Sequence, residues 1–465
     1  MAALHREAAA ITVAGLLGVL LAGATSLVVA APPPGTRDAL AVPVVETVLP
    51  ALDATAARRA ADALHARVGG PLPYAEIAAI DSAGTNGDAA QGRWEALPDG
   101  RWSWRMDVRA PGALTLEFAF EPFRLPASAE LWITAADGRS LGPFTDKDNS
   151  AHGALFTPML AGDHARIELV VDADQRDRVQ LALAHVARGY RGMERDGAPV
   201  AKSISCNVDV ACSDADPWRA QVGSVARYTF VEGSTRYLCT GQLMVDASGT
   251  SAQRLFSTAN HCVATEAHAR SMVLYWRYES DVCRTPGSSA SGNVLPLSIA
   301  AATQDGAELL ATHADSDFTL VQLDDPVPSV AQPFFSGWDR VADSADTVAS
   351  IHHPQGHEKR ISVERDDVFP TTTFINVDGI SLPPQHGWEI TGWDEGTTEG
   401  AAEVLPRLGE ALVEGRAALL SCHTVIHSAA TVAFTIASGS WSKLTCSRFW
   451  HSKRASRTSP VRSYT

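Results

Sequence analysis

From Trp94 onward, apolar and polar residues alternate along the chain. Arg93-Trp-Glu-Ala-Leu, Arg101-Trp-Ser-Trp-Arg-Met-Asp-Val, Leu114-Thr-Leu-Glu-Phe-Ala-Phe, Glu130-Leu-Trp-Ile-Thr and Ala165-Arg-Ile-Glu-Leu-Val-Val each place apolar side chains two residues apart. That period puts them on one face of a strand. Turn groups such as Pro98-Asp99-Gly100 and Asp137-Gly138 separate these stretches. The pattern predicts an antiparallel β-domain, a sandwich, over about 90–190. Ahead of it the spacing changes. Val44, Val45, Val48, Leu49, Leu52, Ala56, Ala60 and Leu64 suit one or two amphipathic helical turns with Arg58 and Arg59 outside. Residues 31–89 therefore read as a helical and linker segment. A second β-rich region opens near Ser203 and stays clear to about Gly400. Short strands are expected there at 221–228, 238–245, 254–258, 271–278, 318–323, 347–351 and 388–391, joined by long polar loops. There is no alternation of strand and helix, and no Walker or dinucleotide glycine motif. A parallel nucleotide-binding sheet is not expected.

At 465 residues with 45% apolar side chains, the chain has room for two or three domains. The net charge of −15 argues against nucleic acid as the main partner. Residues 1–30 carry Arg6, then an apolar stretch from about Ala8 to Ala30, then Pro32-Pro33-Pro34. This is the layout of a secretory signal peptide cut after Ala30, with a permanent membrane anchor as the alternative. No later segment is apolar enough to span a bilayer, so no stable membrane insertion is expected once the signal is cut. Export leads to an extracellular or periplasmic location, where cysteine pairs are expected to be disulfides. All seven cysteines lie after residue 200.

Phe256-Ser-Thr-Ala-Asn-His261-Cys262 is the strongest local signal. A strand ends in small residues and delivers a histidine directly before a cysteine. Cys239 stands 23 residues upstream in Leu238-Cys-Thr-Gly-Gln-Leu-Met, and Ser316-Asp317-Phe-Thr-Leu-Val-Gln-Leu follows downstream. Imidazole titrates near neutrality, so His261 can take a proton from a hydroxyl and return it to a leaving amine. Asp317 would hold one ring nitrogen as a donor and stabilise the cation. His352 and His353 read as structural residues or as lining of a substrate cleft. A metal site of His352, His353, His357 and Glu358 is the alternative, but Pro354, Gly356 and the lack of His-Glu-x-x-His spacing speak against it. Trp276 and Trp338 read as core aromatics. Trp102 and Trp104 would suit carbohydrate binding if exposed, although aromatics on strands are more often core.

These segments resemble trypsin-like (chymotrypsin-fold) serine proteases, in which Thr-Ala-x-His-Cys and Cys-Thr-Gly-x-Leu recur. Ser205-Cys206-Asn-Val-Asp-Val-Ala-Cys212, Val273-Leu-Tyr-Trp-Arg-Tyr, Ser336-Gly-Trp-Asp-Arg340 and Ile351-His-His-Pro together with Glu358-Lys-Arg-Ile-Ser362 narrow the resemblance to bacterial lysyl endopeptidases. It covers about 203–400, and the region 90–190 is similar to the β-rich pro-region of such precursors. The resemblance implies an all-β fold: a chymotrypsin-like double β-barrel behind a β-sandwich-like pro-domain. It implies a protein or peptide substrate, no cofactor, and hydrolysis by a serine assisted by His261 and Asp317. It also implies disulfides Cys239–Cys262 and Cys212–Cys283, and a partner for Cys206 past the nucleophile turn, at about the distance of Cys422. Cys446 is left over. Oligomeric state is not legible.

The third catalytic member is not found. Gly396-Thr-Thr-Glu399-Gly400 is followed by Ala-Ala-Glu403 where the family carries Gly-x-Ser-Gly. Glu403 thus stands at the nucleophile's place, and the second barrel is expected to be incomplete. The later Ser438-Gly-Ser440 would serve only across a long insertion. Net charge switches from −20 up to Gly400 to +5 over 401–465. The loss of resemblance at the same point suggests a shifted reading frame or a rearranged gene end. Lys202 directly precedes Ser203 and is either a processing site or an ordinary linker lysine. The resulting expectation is a secreted serine endopeptidase precursor of doubtful activity. The alternative is a non-catalytic secreted binding protein.

Overall fold

The computed structural model describes residues 44–191 and 205–398, apart from 69, 86–91, 247–250, 252, 298–299, 338–346 and short stretches between 368 and 392. The stretch read as helical turns holds β1 (Val45–Val48), α1 (Ala54–Val68) and β2 (Leu72–Gly84). Asp53 Oδ1 accepts the Ala56 N–H at 2.9 Å, satisfying an orphan donor at the helix start. His65 and Arg67 stand in its last turn, where positive charge suits the helix dipole. The two strands escape the periodicity because alanines blur the alternation in β2. Pairing with strands on both of its edges decides its conformation.

The N-terminal domain continues with β3 (Arg93–Ala96), β4 (Trp102–Arg109), β5 (Thr115–Arg124), β6 (Glu130–Ala135), β7 (Ser140–Phe144), β8 (Leu155–Phe156), β9 (Leu160–Ala161), β10 (His164–Val171) and β11 (Gln180–Gly189). One sheet has the order β1-β4-β10-β6-β7, with β3 beside β4. The other places β11 between β2 and β5, and β8 and β9 pair with β5. Met106, Val108, Ile133, Ile167 and Leu169 from the first sheet meet Phe118, Phe120, Leu183 and Val186 from the second in a single core. This is the expected sandwich. Trp104 is buried in that core, and the Arg176 guanidinium lies 4.5 Å from the ring centre of half-buried Trp102. Neither ring is a bare platform for a sugar.

The second region opens with β12 (Val208–Asp209) and α2 (Arg219–Val222). There follow β13 (Val225–Glu232), β14 (Thr235–Met244), β15 (Leu255–Thr258), α3 (Glu266–Arg270), β16 (Val273–Trp276), β17 (Ala302–Asp305), β18 (Ala307–His313) and β19 (Phe318–Leu323). Antiparallel pairing runs β17-β16-β13-β14-β15-β19-β18. β17 and β18 are joined through Gly306, so the sheet curls into a nearly closed first barrel. Trp276, Phe256, Tyr228, Leu243 and Val321 fill it. The strand expected at 221–228 starts instead as α2, because the helical turn through Pro217-Trp218 carries on to Val222 before β13 begins.

β20 (Val348–His352) and β21 (Arg360–Glu364) pair with each other, and β12 adds to β21. Val363 bridges Glu395, and a separate apolar core contains Val208, Trp218, Ile351, Ile361 and Ile390. A hairpin of β22 (Ile375–Val377) and β23 (Ile380–Leu382) completes the described elements. The fold is all-β, a chymotrypsin-like double barrel whose second barrel is incomplete among the described residues. Of the strand expected at 388–391, only Ile390 is described, and it is buried outside any strand.

Candidate functional site

His261 follows the end of β15, and Asp317 immediately precedes β19. β15 and β19 are neighbours, with Thr258 opposite Thr319, so two residues far apart in sequence leave the same end of the sheet. Asp317 Oδ2 lies 2.6 Å from His261 Nδ1, and Asp317 Oδ1 accepts the His261 backbone N–H at 2.8 Å. One carboxylate thus fixes both the ring and its main chain. With the Nδ1 proton directed at the carboxylate, Nε2 is the ring nitrogen that can exchange a proton with a reactant. Asp317 is buried and sits at φ +47°, ψ +44°. A left-handed conformation is uncommon outside glycine, although aspartate is among the residues that tolerate it.

Further bonds hold the pair. The Cys239–Cys262 disulfide ties the residue after His261 to β14, and Gly241 in the same strand lies under the Phe256 ring. A Cβ at 241 would stand 2.4 Å from that ring, so the glycine in Cys-Thr-Gly permits the close approach. Asn260 Nδ2 donates to Thr312 Oγ1 at 2.7 Å, Thr312 and Thr319 hydroxyls lie 2.6 Å apart, and Thr319 Oγ1 donates to the Val263 carbonyl at 2.6 Å. This chain of hydroxyls links the histidine loop to the aspartate strand. Sequence reasoning passed over it, because threonine is an ordinary strand residue. Its only signal was a threonine at 312, six residues before the conspicuous Phe318.

His352 and His353 are fully buried at the end of β20, and their Nδ1 atoms lie against oxygens of Ser350 and His357 rather than His261. His352 Nδ1 lies near the Ser350 oxygens, and His353 Nδ1 is 2.8 Å from the His357 carbonyl. Burial lowers all three imidazoles, His352 and His357 to about 4 and His353 well below its usual value. Glu358 is spent on Arg284 at 2.5 Å and Arg360 at 2.6 Å, and Asp209 is chelated by the same two arginines. These four buried charges knit β12 and β21 to the loop at 284. Among the described residues no group of three or more His, Cys, Asp or Glu is placed to hold a metal ion. The Cys212–Cys283 disulfide is present, and Trp276 is core. Trp338, Lys202, Glu399, Glu403, Cys422, Ser438, Cys446 and the segment 1–30 lie outside the described residues.

The family profile described as the lysyl endopeptidase C-terminal domain matches residues 200–402, and that of the lysyl endopeptidase N-terminal domain matches residues 48–188. A lysyl endopeptidase of Pseudomonas aeruginosa is 29% identical over 284 residues, which cover 58% of this chain and 59% of that protein. A secreted RxLR effector protein of Plasmopara viticola is 24% identical over 278 residues, 56% of this chain and 65% of that one. The chain thus spans less than two thirds of the length of these relatives. Among solved structures, a thermostable serine protease from an extremophilic microorganism aligns with 13% identity and a TM-score of 0.24 over 47% of this chain and 92% of its own. A serine endoprotease from Yersinia pestis aligns with 12% identity and a TM-score of 0.25 over 49% and 62%. Those scores are too low to bear on the fold, which rests on the sheets themselves. With both halves matched in order and the histidine–aspartate pair at the mouth of the first barrel, the chain belongs to the lysyl endopeptidase family of serine proteases.

Proposed function

We propose that this chain is the precursor of a secreted endopeptidase of the serine type, built to hydrolyse peptide bonds in protein or peptide substrates. The carrying observation is the double grip of Asp317 on His261, at 2.6 Å to Nδ1 and 2.8 Å to the backbone nitrogen. In this reading His261 takes the proton of a nucleophilic hydroxyl through Nε2 and delivers it to the departing amine. Asp317 keeps the ring in the productive tautomer and stabilises the imidazolium. Cleavage after lysine is the substrate preference carried by the relatives' name. Residues 1–30 would direct export, and the domain over 44–191 would be the pro-region, cut ahead of Ser203.

A second reading has its own support. The C-terminal family match ends at residue 402, two positions past Gly400, where the sequence loses the Gly-x-Ser-Gly turn and its charge changes sign. A chain without the nucleophile turn would act as a binding protein that uses the cleft without chemistry. A fluorophosphonate probe separates the two. Covalent labelling that disappears in His261→Ala supports the peptidase, and unlabelled folded protein supports the binder. Reading the coding DNA past codon 400 in the other two frames tests the origin of 401–465. A frame that restores Gly-x-Ser-Gly assigns the missing turn to a frameshift.

A further inference from the structure

Side chains of β13 alternate between two environments. Ala226, Tyr228 and Phe230 point into the first barrel, so Arg227 points out of it. On that outer face Arg227 stands opposite Thr240 of β14 and Tyr275 of β16. Met159 of the N-terminal domain covers it, with the sulfur 3.8 Å from Nη2. The side chain is fully buried. The ring centres of Tyr275 and Tyr278 lie 4.9 Å and 5.8 Å from its Cζ. An aromatic face attracts a cation but carries no net charge to balance one. Nε and Nη1, which hold most of the guanidinium's N–H donors, meet no hydrogen-bond acceptor among the described residues.

Arg227 is also the exception in charge. Among the described residues, every other buried arginine or lysine has a carboxylate partner. Arg236 Nε lies 3.2 Å from Glu117, Lys359 Nζ 2.8 Å from Glu279 and Arg360 Nη2 2.6 Å from Glu358. Arg105, Arg188, Arg191 and Arg284 are paired likewise. Burial raises the Glu117 carboxyl, and Arg236 and, more weakly, Arg227 pull it down. That carboxylate is already bound by Arg236 and by the Tyr74 hydroxyl at 2.6 Å. Two guanidinium groups therefore share one negative charge in a buried layer. The nearby imidazoles do not balance the excess. Burial keeps His353 and His357 neutral, and the field of Arg227 acts in the same direction. A charge held away from water without a partner is strongly disfavoured. One small anion at Nε and Nη1 would supply both the missing acceptor and the missing charge, whereas a water molecule would supply only the acceptor.

We propose that Nε and Nη1 of Arg227 bind a single small monovalent anion of the halide class, enclosed between the first barrel and the N-terminal domain. The side chain is shut off from solvent and the excess is one charge, which suits a chloride-sized ion rather than a phosphate or sulfate dianion. The test reads stability and needs no peptidase activity, so it stands or falls apart from the function proposed above. The full chain is melted at constant ionic strength while sodium gluconate is exchanged for sodium chloride; gluconate is too large for an enclosed site. The melting temperature is expected to rise with chloride. Above the binding midpoint, each tenfold rise in chloride should add about 1.4 kcal/mol of stability. Arg227→Met keeps an unbranched side chain and removes the charge, and it is expected to show no chloride response. A wild-type melting temperature indifferent to chloride overturns the proposal, with water at those donors instead. A response of equal size in Arg227→Met places the ion elsewhere and overturns it too. If that variant fails to fold, bromide decides. Wild-type crystals grown in bromide are expected to show an anomalous peak beside the Arg227 guanidinium, and a blank there overturns the site.

Discussion

Asp317 binds His261 twice, once at the ring nitrogen Nδ1 and once at the backbone N–H, so the side chain and its peptide are oriented by a single carboxylate. Asp317→Asn offers an amide in place of the charge and reverses the donor at the ring, favouring the wrong tautomer. Any fluorophosphonate labelling or peptidase rate of the wild type is expected to fall by about 10⁴-fold, as in the general triad case. Independently of activity, the ring proton on Nδ1 is expected as a strongly downfield NMR signal in wild type and to be absent in His261→Ala. A wild-type spectrum without such a signal, in protein shown to be folded, would count against the pair.

The Cys239–Cys262 bridge closes a 23-residue separation right beside His261. By loop-closure entropy it is worth about 3 kcal/mol, and the 71-residue separation of Cys212–Cys283 somewhat more. Replacing Cys239 and Cys262 together by alanine should lower the urea midpoint by a corresponding amount. It should also broaden the His261 resonance, since the loop loses its tie to β14. The Cys212/Cys283 pair replaced in the same way should destabilise the protein while leaving that resonance sharp.

The elements that were legible in the sequence are those where local pattern and tertiary role agree. Phe318–Leu323 is a short run rich in apolar residues and is a strand over the expected residues. His261 and Asp317 were marked by neighbours with unusual identities, and the structure brings them together. Leu72–Gly84 does not read as a strand, because its alanines carry little β-propensity. Its conformation is set by β11 on one edge and β14 on the other, information that lies in distant residues. The same holds for Glu117 and Arg236. Each looks like an ordinary charged strand position, and only the docking of two domains buries them against each other.

Three imidazoles held neutral in the second barrel give the protein an acid weakness. His352 and His357 ionise at about 4 when folded, against 6.5 when exposed, because burial disfavours the cation. A depressed value means stability that is present above about pH 6.5 and lost as pH falls towards 4. Each histidine contributes a slope on the order of 1 kcal/mol per pH unit in that window. His185, also lowered to about 4, adds to this, while Asp305 acts in the opposite sense. Comparison with a variant isolates the histidines. In urea titrations between pH 7 and pH 5, His352→Gln/His357→Gln should lose less stability than wild type. Equal losses would mean that these rings are not responsible.

Asp305 makes the opposite prediction at the domain boundary. Its Oδ2 accepts the Phe156 N–H of the N-terminal domain at 3.0 Å, and around it stand Asp148, Asp324 and His152, the last 2.7 Å from Asp324. Asp325 and Arg254 flank Asp324, and Arg270 reaches Glu121 and the His152 carbonyl from α3. Burial under this loop, more than the neighbouring carboxylates, raises Asp305 from 3.8 to about 7. The residue as a whole is only half-buried, so solvent screening tempers the effect. A raised value means a stabilising contribution that is complete below about pH 4 and lost as pH rises through 7. Asp305→Asn keeps the acceptor for Phe156 but carries no charge at any pH. Its melting temperature should therefore gain on wild type as pH rises from 5 to 8, with little further change above. His185, which titrates in the contrary direction, is common to both proteins and cancels in the difference. A gap that stays constant across that range would show that Asp305 is ionised throughout and that the boundary tolerates its charge.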